Sequence, residues 1–177
     1  MIDLGATREV RIERWTGRAF FVVACRIDLT PLDMSGCIVD ALKNTIASGL
    51  RRLPGGAILA SDASRRGAIF VEVDPVSVGH PSVSRIDGDL LARALPAAPT
   101  ALRGEVEELL RWSNELGHDV GAFYVGFSAG EGPRVFRPTR LFAALDGGEL
   151  VEHFEVRTRR HYVAGGSAPS APAARAF

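Results

Sequence analysis

Two aspartates stand where a hard divalent cation could be held. Asp28 follows the longest apolar run of the chain, and Asp62 opens the turn Ala63-Ser64-Arg65-Arg66-Gly67 between two further apolar runs. Carboxylates at neighbouring strand ends supply the oxygen ligands that magnesium prefers, and such a pair is the minimal apparatus for metal-assisted nucleotide chemistry. A second group is basic. Arg134, Arg137 and Arg140 recur every third residue, and Arg157, Arg159, Arg160 and His161 come soon after. Guanidinium forks suit phosphates or a partner's carboxylates, so these residues form one basic binding edge if the end of the chain folds as a hairpin. Both groups also have ordinary duties, because aspartates cap helices and close turns and arginines solvate surfaces.

Other chemistry is thinly supplied. The segment Ser128-Ala129-Gly130-Glu131-Gly132-Pro133-Arg134 follows a strand-like run and offers backbone N–H groups, but it has no lysine of a phosphate loop. His80, His118, His153 and His161 are scattered without metal-ligand spacing, and no GxSxG nucleophile elbow is present.

These residues need elements to position them. Residues 19–25, Ala-Phe-Phe-Val-Val-Ala-Cys, read as a central strand covered on both faces. Thr30-Pro31-Leu32-Asp33 turns the chain into a helix expected over residues 36–52, where Ile38, Leu42, Ile46, Leu50 and Leu53 form one apolar stripe and Pro54-Gly55-Gly56 is the stop. Residues 57–62 and 68–74 read as a hairpin. Before the central strand, residues 8–14 alternate polar and apolar, so Trp15-Thr16-Gly17 is expected to be the turn of an N-terminal hairpin. Further on, a loop is expected over 76–84, a short helix over 86–95, a longer helix over 100–116 and a strand over 120–128. A last hairpin is expected to pair residues 140–145 with 149–157 through Asp146-Gly147-Gly148.

That order is βαββαβ. It predicts an α+β fold with a ferredoxin-like core, a mainly antiparallel sheet, helices on one face and extra terminal hairpins. In outline, residues 20–131 also resemble the palm-type nucleotide cyclases. Arg26-Ile27-Asp28-Leu29-Thr30 and Ser61-Asp62 take the positions of that family's two aspartates, and Tyr124-Val125-Gly126-Phe127-Ser128-Ala129-Gly130-Glu131 is similar to its later glycine-containing strand. The resemblance implies Asp28 and Asp62 as ligands of magnesium. No glycine precedes Asp62, and no Lys or Asn stands at a base-reading position, which departs from the family's pattern.

Size and composition set the bounds. A chain of 177 residues with 46% hydrophobic and 24% charged residues is ordinary globular material, read as one domain over 1–164. Residues 165–177, rich in Ala, Pro and Ser, read as a disordered tail. The 21 basic and 21 acidic residues cancel, so no overall field favours nucleic acid or an anionic membrane, and no run approaches the roughly 18 apolar residues of a membrane span. Cys25 and Cys37, outside any CxxC pair, suit a reducing cytoplasm.

The function these features predict is a non-catalytic binding or assembly module, a subunit or accessory protein of a larger complex that meets a protein partner or its own copy and needs no cofactor. The rival is a magnesium-dependent nucleotide enzyme working through Asp28 and Asp62. A third expectation is a small-ligand pocket between sheet and helices, walled by Trp112, Phe123 and Tyr124.

Overall fold

The computed structural model describes residues 10–25, 34–63, 66–96, 102–132 and 134–145. The chain order is β1 (Val10–Cys25), α1 (Ser35–Ala47), β2 (Ile58–Ala63), β3 (Arg66–Val73), a short 3-10 turn (Pro75–Ser77), β4 (Val83–Ala94), α2 (Leu102–Glu115), β5 (Val120–Ala129) and β6 (Phe136–Leu145). The six strands close into an antiparallel barrel in the order β1-β3-β2-β5-β6-β4. The expected α+β ferredoxin-like sheet is thereby overturned. So is the palm-like outline, since a palm sheet is open and this one has no free edge.

The closure rests on β1. Its 16 residues border β4 from Val10 to Phe21 and β3 from Ala19 to Cys25, so one bent strand joins the two ends of the sheet. The bend is at Trp15-Thr16-Gly17, the expected hairpin turn, which is instead a β-bulge. Gly17 takes a left-handed φ of 66°, cheap only for glycine, and its N–H donates to the Asp87 carboxylate. A bulge and a turn need the same residue types, which is why the sequence pattern misleads here.

Alternation along each strand makes two separate apolar layers. Every strand contributes to the cluster that fills the lumen, with Phe20, Leu59, Phe70, Leu90, Tyr124 and Phe142 among its members. The opposite faces of β2 to β6 form an outer cluster with Ile38 and Ala41 of α1 and Leu102, Val106 and Leu109 of α2. The helices therefore cover the outside of a barrel. On β4, Leu90, Leu91, Ala92 and Arg93 are all buried, because lumen lies on one side and α2 on the other. With both faces covered the strand loses its two-residue period, and Ile86, Leu90 and Ala94 imitate a helix.

α1 ends at Ala47, earlier than expected, and Ile46 of the anticipated stripe is 75% exposed. The two cysteines are joined by a disulfide, Cys25 at the end of β1 to Cys37 in α1, which overturns the expectation of reduced thiols. That bond closes a short loop, with a sequence separation of 12. Reduction, or Cys37→Ser, is therefore expected to lower stability by about 2–3 kcal/mol, measured by urea unfolding with and without reductant. Alkylation of both thiols in the folded, unreduced protein would contradict it. Among the described residues no helix is long and apolar enough to cross a membrane.

Candidate functional site at the barrel mouth

Charge enters the lumen at one end. Two positions before Phe20 on β1 comes Arg18, two after Phe70 on β3 comes Glu72, and two before Phe142 on β6 comes Arg140. Strand alternation puts each charged residue on the same inner face as its aromatic neighbour, one step nearer the rim. Arg18 grips Glu72 with two parallel bonds, Nε and Nη2 each at 2.6 Å from a carboxylate oxygen. Glu72 also accepts the Ala57 N–H at 2.7 Å, which ties the approach to β2 onto β3. The Arg18 guanidinium lies 3.8 Å over the Trp15 ring. Across the mouth, Arg140 pairs with Glu13 and sits 4.8 Å over the Phe142 ring, while Trp15 Nε1 donates to Glu13 at 3.3 Å.

The electrostatics follow from these contacts. Burial alone would raise the Glu72 carboxyl, but the Arg18 hydrogen bonds and the Ala57 N–H outweigh it and hold the group below the usual glutamate range. Glu13 is treated alike: burial raises it, and bonds from Arg140, Trp15 and Arg11 bring it below the ordinary value. Deeper in the lumen, burial pushes the Tyr124 phenol well above its normal range, so it stays neutral, and its hydroxyl finds no hydrogen-bond partner among the described residues.

These residues border a cleft of about 490 Å3. Trp15, Arg18, Phe142 and Arg140 form its inner part, and Arg52, Gly55, Gly56, Phe127, Ser128 and Phe136 belong to its walls. The volume falls within the range of small-molecule sites. Gly126 lets Phe142 pack close against β5: a Cβ there would meet Phe142 Cε2 at 3.0 Å. At the rim the hydroxyls of Ser128 and Thr139 are 3.1 Å apart.

Arg52 is the third guanidinium. Its backbone forms a bridge to Val73, and its neighbours fix it on both sides: Leu53 N–H donates to Glu72 O at 3.2 Å and Asp74 N–H to Arg51 O at 2.9 Å. The side chain is exposed and has neither a carboxylate nor a hydrogen-bond acceptor among the described residues. No family model matches this chain, and no curated protein matches it in sequence. The mouth is therefore read from its own chemistry.

Of the residues singled out by sequence, Arg140 enters the mouth. Arg134, at a φ of 71°, and Arg137 are exposed at the β5–β6 connection, and Arg157, Arg159, Arg160 and His161 lie outside the described residues. Residues 149–157, the anticipated hairpin partner of β6, also lie outside them. Both edges of β6 are already occupied, one by β5 and the other by β4. Asp28 falls outside the described residues as well. Asp62 pairs with Gly67 of β3, which pairs on its other side with Cys25, so β3 separates Asp62 from the end of β1. Among the described residues no group of three His, Cys, Asp or Glu gathers to hold a metal. In the glycine segment after β5, the Gly130 N–H is already given to Val135 O at 2.8 Å. Phe123 and Tyr124 face opposite ways, into the outer layer and the lumen, and Trp112 is 37% exposed on α2, so the three do not share a pocket.

Sequence reasoning passed over Trp15, Arg18, Arg52 and Glu72. One signal was readable: Glu72 interrupts Ala68-Ile69-Phe70-Val71-Glu72-Val73, and a carboxylate in a buried strand requires a cation within reach.

Proposed function

We propose that the chain is a binding module that takes a small anionic ligand in the mouth of its barrel. The observation that carries this reading is Arg52, a guanidinium without a carboxylate partner among the described residues, on the wall of a cleft that two further arginines border. Arg18 and Arg140 are each paired to one glutamate, yet a guanidinium has five N–H donors, so donors remain for a ligand. The Arg18 guanidinium, stacked with one face on Trp15, suits a ligand with a flat apolar body. Glu13 and Glu72 are ionised and Tyr124 is neutral around pH 7, which suits holding a ligand better than exchanging protons with one.

Saturation-transfer NMR tests this with the probes 2-naphthoate, 2-naphthyl phosphate and neutral 2-naphthamide on wild type and Arg52→Gln. At least one anion is expected to receive saturation, the amide much less, and the anion's signal is expected to fall in the variant. Equal transfer to the amide, or none to either anion, would remove the reading. Arg52 is exposed and its side chain has no hydrogen-bond acceptor among the described residues, so the substitution is expected to leave the fold intact.

A further inference from the structure

Resting on the mouth as an anion site, we infer that the group it recognises is a single carboxylate on a flat aromatic body, not a phosphate. The argument is the allocation of forks. Arg18 presents its Nε–Nη2 edge to Glu72 in two parallel bonds, and Arg140 turns Nη2 to Glu13. Arg11 also holds Glu13, with Nε at 2.8 Å and Nη2 at 2.7 Å, but it is 59% exposed and lies outside the cleft, where solvent screens its charge. Arg52 alone among the cleft's arginines has no carboxylate partner among the described residues. One free guanidinium fork matches one carboxylate, two oxygens for two parallel N–H groups. A phosphate monoester brings three oxygens and about 1.5–2 charges, of which one guanidinium without a carboxylate balances only one.

The body of the ligand is set by what stands beside Arg52. Arg18 is packed with one face on Trp15 and keeps 27% of its side chain exposed, so its plane is a platform on which an aromatic ring can lie. Glu72, the positioning residue, holds both the platform, through Arg18, and the Arg52 segment, through its own backbone carbonyl and the Ala57 N–H.

Calorimetric titration at pH 7.5 with 2-naphthoate, 2-naphthyl phosphate and 2-naphthamide decides the matter. The expected result is a dissociation constant for 2-naphthoate at least about tenfold below those of the other two, the scale of one charge-assisted contact. Arg52→Gln should weaken 2-naphthoate by a similar factor, and Arg52→Lys should restore only part of it, because an ammonium has no fork. If 2-naphthyl phosphate binds as tightly or more tightly, the carboxylate assignment is overturned while the mouth remains an anion site. If Arg52→Gln binds 2-naphthoate as wild type does, the assignment to Arg52 fails. Binding of neither anion removes the anion site and this inference together.

Discussion

Glu72→Ala is expected to lower stability by about 3 kcal/mol, the low end of what breaking a buried ion pair costs. Three contacts go at once: both bonds from Arg18 and the one from the Ala57 N–H. The low end applies because Arg18, 27% exposed, can recover some hydration when its partner is gone, whereas Glu72 at 8% could not. The same pair sets a pH dependence. The folded Glu72 carboxyl titrates below its unfolded value, so the folded state binds fewer protons and stability rises with pH in that range. The contribution is complete above the ordinary glutamate pKa of about 4.3 and disappears as pH falls through the lower folded value. Glu13, lowered in the same direction, adds to the slope. Urea midpoints from pH 7 to pH 3 should fall more steeply for wild type than for Glu72→Gln, with the gap closing at the acid end. Parallel curves would show that the pair does not couple to folding.

The mouth was hidden in the sequence for a reason that also explains the fold. Residue spacing reports the period of one element, and the local periods were mostly readable: α2, β2, β3 and β5 lie close to where the pattern puts them, and Phe123 and Tyr124 face opposite layers as alternation requires. Closure is a different kind of fact. It depends on β1 continuing through Gly17 and on β4 being a strand at all, and in both places the composition points elsewhere. A glycine after Trp15 suits a turn and a bulge equally. A stretch buried on both faces by lumen and α2 shows no two-residue alternation. Once those two segments are misread, Arg18 and Glu13 fall in different elements and Arg140 belongs to a terminal hairpin. Their convergence with Glu72 then cannot be drawn. Asp28 and Asp62 stand out in the sequence as acidic residues beside turns, while Arg52, next to a helix stop, looks like ordinary solvated charge.

The largest effect is expected at Arg93, on the outer face of β4, where α2 lies across the barrel. Its side chain is 5% exposed and meets two carboxylates of α2, Glu105 at 3.3 Å and Glu108 at 2.7 Å. Glu105 is itself only 13% exposed, while Glu108 is 41% exposed and can turn to water. Arg93→Ala therefore takes the guanidinium away from a nearly buried carboxylate and opens a void between strand and helix, and should cost about 3–5 kcal/mol. The charge pair need not be the source of the stability it guards. Desolvating a guanidinium and a carboxylate is expensive, and apolar residues of similar volume often replace such a pair at little or no cost. The double variant Arg93→Met with Glu105→Leu is accordingly expected to lie within about 1 kcal/mol of wild type. Chemical denaturation of the two variants separates the possibilities. A single variant that loses under about 1 kcal/mol would mean that water reaches the Arg93 site. A double variant as unstable as the single would mean that the ion pair, rather than the burial around it, holds α2 on the barrel.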